Sequence, residues 1–147
     1  MSADIFIDTN VLAYAFDTAA PDKRDIALNL IGQAGFVTSA QVLGELYVTL
    51  TRKLTNQVPP DVAKQAIDEL RVLPVVATSP ALVAAAIDTS IRYQVSYWDA
   101  LIIEAAATGG CTTLLTEDLN DQATIKNVHI VNPFRYLADP GQSQPTG

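Results

Sequence analysis

The sequence predicts a three-layer α/β/α domain built on a mainly parallel central sheet. Short apolar runs alternate with helix-length segments, so successive strands need crossover connections. The chain is 49% apolar and only 17% charged, below the usual charged share of ~25%, which suits a sheet covered on both faces. Its 147 residues are the length of one domain, and a domain of this size buries about 70% of its unfolded surface without a disulfide.

The elements follow in order. Ile5-Phe6-Ile7 reads as a strand, and Val11 to Phe16 opens a helix after Thr9. A second helical stretch covers Lys23 to Ile31, and Phe36 to Thr38 is a short strand. Ser39 is a helix N-cap, and its helix reaches Lys53. Pro60 suits the first turn of a helix running to Leu70. Val72 to Ala77 is a strand whose Pro74 marks an edge or a bend. Ser79-Pro80 opens a helix to Tyr93, and Ser96 caps another to Thr108, stopped by Gly109-Gly110. Strands follow at Thr112 to Leu115 and Val128 to Val131. The expected domain spans 1–137, with 138–147 a flexible tail.

Composition narrows the function. No apolar run reaches the ~20 residues of a membrane span, and the start, Met-Ser-Ala-Asp, lacks the features of a signal peptide. With a single cysteine, Cys111, an internal disulfide is excluded, and a cytoplasmic location is expected. The net charge of −7 is wrong for a protein that holds nucleic acid by its own charge alone. Either no nucleic acid is bound, or cations or a basic partner mediate the contact. Phosphate-binding glycine loops and the Gly-x-Ser-x-Gly elbow are missing. One histidine and one cysteine are too few for an ordinary zinc site. A Cys111–His129 nucleophile pair is conceivable, but Cys111 reads better as a small core hydrophobe.

Carboxylates remain. Asp8 ends the first strand, where open α/β sheets bind ligands, or else caps the following helix. Asp118 follows the strand that ends at Leu115 and emerges on the same edge if the strands are parallel. Its other reading is a polar turn among Glu117, Asn120 and Asp121. Asp99, three residues after Ser96, fits a capping box, yet it shares a face with Ile102, Ile103 and Ala106. A carboxylate at the buried end of an apolar face is costly unless paired or metal-bound. Glu45 lies opposite the apolar stripe of Leu43, Leu46, Tyr47, Leu50 and Leu54, and periodicity alone makes it a surface residue.

These residues stand in motifs that resemble the PIN-domain family. Phe-Ile-Asp-Thr-Asn-Val-Leu at 6–12 resembles its opening motif, and Gln-Val-Leu-Gly-Glu-Leu-Tyr at 41–47 its second, with Glu45 the acidic residue. Ser-Tyr-Trp-Asp-Ala-Leu-Ile at 96–102 resembles the third, with Asp99. Leu-Leu-Thr-Glu-Asp-Leu at 114–119 resembles the fourth, with Asp118, and Val-Asn-Pro-Phe at 131–134 the usual end of the domain. Gly44 stands where many relatives carry a polar residue, and the run after Asp118 lacks their common glycine.

The resemblance implies a PIN-like α/β fold and metal-dependent RNA cleavage by Asp8, Glu45, Asp99 and Asp118 as catalytic and metal-binding residues. Oxygen ligands without histidine or cysteine suit magnesium or manganese. Asp8 and Asp99 are expected as principal ligands, directly or through water, with Glu45 and Asp118 completing the site. Thr9, Asn10 and Thr116 would fix these carboxylates as hydrogen-bond donors. Length and the lack of an added domain are similar to VapC-type toxins, which implies a small antitoxin partner and a homodimer. Two alternatives are weighed beside this. A magnesium-binding receiver-like signalling module needs an adjacent acidic pair after the first strand and a lysine after the last, and neither is present. An inert PIN-like scaffold needs no acidic set, yet all four positions are filled.

Overall fold

The computed structural model describes residues 4–33 and 35–137; the expected tail at 138–147 lies outside them. β1 (Ile5–Ile7) leads into α1 (Thr9–Tyr14) and α2 (Pro21–Gly32). β2 (Thr38–Ser39) leads into α3 (Ala40–Val48), which continues as a π-helical turn, Thr49–Lys53. Then come α4 (Pro60–Leu70), β3 (Val75–Val76), α5 (Pro80–Tyr93) and α6 (Tyr97–Thr108). β4 (Thr113–Leu115), β5 (Thr124–Ile125) and β6 (Val128–Val131) close the domain.

Four strands pair in the order β1-β4-β6-β5, with β1, β4 and β6 parallel and β5 antiparallel. β2 and β3 pair in parallel and join at β1 through the Phe6–Val37 bridge. The chain therefore leaves β1 toward β2 and β3 on one side and returns to β4 on the other. The order reverses between β1 and β4, and such a switch point leaves a crevice at the strands' carboxyl ends. Phe6, Leu114 and Ile130 on the strands, Leu46 and Leu50 on the α3 segment, Ile103 on α6, and Phe134 fill the core at 0–1% exposure. Each such side chain contributes roughly 1.5–3 kcal/mol by leaving water. α6 packs against α5 and over β2, β4 and β6, while α1, α2, α3 and α4 pack among themselves.

Several elements depart from expectation. The first helix begins at Thr9, two residues early, because Asp8 itself serves as its N-cap. The strand expected over Val72 to Ala77 shrinks to Val75–Val76, since Pro74 has no N–H to give a ladder; its carbonyl instead accepts from Thr38. The β5–β6 hairpin was not expected. Lys126 and Asn127 form its two-residue turn at φ 52° and 65°, the left-handed pair that a type I′ turn requires. Tyr47, expected in the apolar stripe of α3, is 39% exposed; Val42, Leu46 and Leu50, four residues apart, are the fully buried set.

Candidate active site

Asp8 sits at the end of β1, directly at the switch point. Extended backbone at Asp8 lets its Oδ1 accept from the N–H of Thr9 (2.7 Å), so the helix-cap reading holds. Its Oδ2 accepts from the Thr116 hydroxyl at 2.9 Å. Thr116 follows β4, and its own hydroxyl accepts from Asn10 Nδ2 (3.1 Å) and the Asp118 N–H (3.2 Å). One donor and two acceptor positions are thus all used. Asn10 Oδ1 accepts from the Glu117 N–H at 3.3 Å. These contacts tie the start of α1 to the segment after β4 and fix the direction of the Asp8 carboxylate.

Glu45 projects from α3. Its Oε2 accepts from the Thr9 hydroxyl (3.0 Å), and its Oε1 from Gln41 Nε2 (2.8 Å), one turn earlier. Glu45 is exposed, as periodicity suggests, but it is held. Gln41 is a positioning residue that sequence reasoning passed over; its i, i+4 spacing to Glu45 was the available signal. Thr9, Asn10, Glu45, Thr49, Lys53 and Asp118 line an open cleft of about 540 Å³. Lys53 reaches this cleft without any sequence signal that marked it.

Asp8, next in the chain to the cleft residue Thr9, is buried at 8% exposure. Burial is the main cause that pushes its carboxyl up to about 6, and the negative charges of Glu45 and Asp118 push the same way. The hydrogen bonds from Thr116 and Thr9 oppose the shift without cancelling it. Asp8 thus feels the charges of both Glu45 and Asp118. Asp99 sits in the first turn of α6. The Asp99 N–H bonds Ser96 Oγ at 3.0 Å, the serine half of a capping box, while its carboxylate makes no hydrogen bond or ion pair among the described residues. α6 runs back to β4 through Gly109-Gly110, with Gly110 at φ 77°. Its first turn, with Asp99, accordingly belongs to the carboxyl edge of the sheet.

The neighbouring acids are occupied elsewhere. Glu117 accepts from the Tyr14 hydroxyl (2.6 Å) and Lys23 Nζ (2.9 Å). Asp121 accepts from the Asn132 N–H at 2.8 Å and pairs with Arg135 at 3.4 Å. His129 bonds Thr124 and Gln122, and burial drives the Cys111 thiol up to about 11, so they form no nucleophile pair.

Among the described residues no three acidic, histidine or cysteine side chains are close enough to hold an ion between them unaided. Magnesium keeps several of its waters and needs only one or two direct carboxylates. An oxygen-only set whose central member is buried against two like charges suits such an ion.

Residues 5–126 match the family model described as the PIN domain. No curated protein matches the chain at a significant level. Among solved structures, the chain is similar to the Mycobacterium tuberculosis VapC20 toxin, described as cleaving the sarcin-ricin loop. The identity is 23%, covering 75% of this chain and 86% of that one, at a TM-score of 0.60. A toxin–antitoxin complex from Klebsiella pneumoniae matches at 18% identity, covering 88% and 97%, with a TM-score of 0.65. FitAcB from Neisseria gonorrhoeae matches at 17% identity, covering 88% and 98%, with a TM-score of 0.61.

Proposed function

The chain belongs to the PIN-domain family, and we propose that it is a magnesium- or manganese-dependent ribonuclease, the toxin of a toxin–antitoxin pair. The observation that carries this reading is the buried Asp8 at the switch point, held by two hydrogen bonds and feeling the charges of Glu45 and Asp118. Like charges so gathered favour a bound cation. Asp8 would hold it directly or through water, with Glu45, Asp118 and Asp99 reaching it through its bound waters. A bound ion supplies Lewis acidity toward a phosphate oxygen and lowers the pKa of a water.

The chain's own groups do the rest. Thr116 keeps one Asp8 oxygen turned, and the Thr9 N–H holds the other. The Thr9 hydroxyl and Gln41 clamp Glu45, so its carboxylate is aimed before substrate arrives. Asn10 locks the segment that carries Asp118. An antitoxin would insert a basic side chain, best an arginine, toward these carboxylates. Support for such a partner is that the Klebsiella neighbour is itself a toxin–antitoxin complex. A homodimer would cover Ile87 and Ile91, one turn apart on α5 and 45% and 73% exposed. Among the described residues no helix is long and apolar enough to cross a membrane.

The test is cleavage of RNA by purified protein with EDTA, magnesium or manganese. Metal-dependent cleavage, lost in both Asp8→Asn and Asp99→Asn, is the expected result. Full activity in either variant, with contaminating ribonuclease excluded, overturns the mechanism.

A further inference from the structure

The chain carries nine lysines and arginines against sixteen acids, and most of its cations are already committed. Lys23 pairs with Glu117, Lys64 and Arg71 with Asp68, Lys126 with Glu104, and Arg135 with Asp121. Lys53 is different. It is exposed, makes no hydrogen bond or ion pair among the described residues, and lines the cleft that Glu45 and Asp118 also line.

The end of α3 explains how it gets there. Lys53 is eight residues beyond Glu45, and an unbroken α-helix would rotate it ~80° away from the Glu45 face. The last turn is instead π-helical, closed by the Leu54 N–H on the Thr49 carbonyl at 3.2 Å. That wider turn takes back most of the rotation, and π-turns recur where a helix serves a site. Lys53 then lies about 10–12 Å along the axis from Glu45, too far to neutralise it. Helical side chains lean toward the N-terminus, which suits Lys53's place in the lining of the cleft.

We propose that Lys53 is the RNA-anchoring residue of this cleft, gripping a backbone phosphate a short way along the strand from the carboxylates. The proposal rests on the ribonuclease reading above and names how an acidic protein takes hold of its substrate. A small free anion would be repelled by Glu45 and Asp118 at the other end of the cleft. A phosphate that is one of a series on a continuous chain is held by Lys53 while its neighbour is presented to the acidic end. A compact ammonium serves as a point-charge phosphate contact.

The test separates this from the ribonuclease reading by measuring binding. A short fluorescein-labelled single-stranded RNA of mixed sequence is titrated with the full chain in calcium, across a salt series, by anisotropy. One phosphate contact contributes about 0.7 to the slope of log affinity against log salt for a single strand. Lys53→Ala is therefore expected to flatten the slope by about 0.7 and to weaken binding about fivefold near 0.1 M salt. Lys53→Arg should keep both, as should Arg52→Ala, which removes an adjacent exposed charge that does not line the cleft. An unchanged slope in Lys53→Ala overturns the proposal and leaves the ribonuclease reading standing. An equal loss in Arg52→Ala overturns it too, because the contact is then diffuse. No RNA binding by the unsubstituted chain overturns both.

Discussion

Two carboxylates are buried among the described residues, Asp8 at 8% exposure and Glu104 at 4%, and their surroundings are opposite. Glu104, in the middle of α6, receives the Thr89 hydroxyl and the Lys126 ammonium at 2.6 Å. The fold itself supplies the countercharge, from a hairpin turn that brings Lys126 over the helix. Asp8 receives two hydrogen bonds and, among the described residues, no ion pair, and the charges that raise it are two more carboxylates. A buried charge is costly unless it is paired or bound to metal. Glu104 meets that condition from within the chain, and Asp8 does not. The contrast is between a carboxylate countered by a cation of its own fold and one that burial and like charges push toward its protonated form.

The sharpest way to break the comparison is to neutralise each acid in turn. Asp8→Asn should lower metal-dependent RNA cleavage by about a hundredfold or more, since even groups that merely orient metal ligands cost 10- to 100-fold. The same variant should not lose stability at neutral pH. Asp8 titrates near 6 when folded and at the ordinary 3.8 when unfolded, so the folded state holds the proton more tightly. The stability this confers is present below pH ~4 and is lost as pH rises through ~6. Two pKa units set its upper bound at ~3 kcal/mol. Melting in EDTA should show this fall between pH 4 and 6 in the parent chain and a flatter curve in Asp8→Asn. An identical slope in both would remove Asp8 as its source.

Lys126→Ala should do the reverse, sparing activity and costing stability. Removing one partner of a fully buried pair costs ~3–5 kcal/mol. Lys126 is 40% exposed, so solvent screening reduces the expected loss to about 2 kcal/mol. That corresponds to a fall of roughly 6 °C in Tm for a domain of this length. Thermal melts and cleavage assays on the same preparation check both halves.

A finer division lies within the acidic segment after β4. Asp118→Asn should slow cleavage about tenfold or more, with partial rescue by excess manganese if the lost group is a ligand. Glu117→Gln should leave the rate nearly unchanged and cost about 1 kcal/mol of stability, because the Lys23–Glu117 pair is only partly buried and such pairs are worth little. Steady-state rates at limiting and saturating manganese distinguish the two residues.

How much of this was legible in the sequence depended on whether a local pattern carried it. The parallel sheet and most helix starts could be read because Ser39, Ser79 and Ser96 are N-caps that act on their own helices. Asp8 could be read as well, because a strand end before a helix is where both a cap and a ligand group belong. Glu45 could be found only through its motif, since its fixation by Thr9 joins residues 36 positions apart. Asp99 could likewise be singled out only through its motif, because locally it reads as the carboxylate of a capping box behind Ser96. The β5–β6 hairpin escaped because Lys126-Asn127 lacks the glycine that usually announces a type I′ turn. The π-turn escaped because the apolar stripe of Leu46 and Leu50 runs into it unbroken, so periodicity gave no warning.

The smallest expected effect belongs to Asp121, and it bounds the site. This carboxylate follows β4 as Asp118 does, in the polar run that the sequence reads as a turn. Its Oδ1 accepts from the Asn132 N–H, just past β6, and its Oδ2 faces Arg135 at 3.4 Å. Asparagine keeps one acceptor oxygen, so Asp121→Asn retains the backbone contact to Asn132. It loses only an exposed ion pair, worth roughly 0–1 kcal/mol. The cleavage rate should stay within about twofold of the parent, and Tm should fall by no more than about 3 °C. Asp121→Ala, which removes the acceptor as well, should fall further in stability with the rate still unaffected. A rate loss in Asp121→Asn that excess manganese rescues would instead mean that the segment refolds over the cleft when metal binds, with Asp121 released from Asn132 to join Asp118.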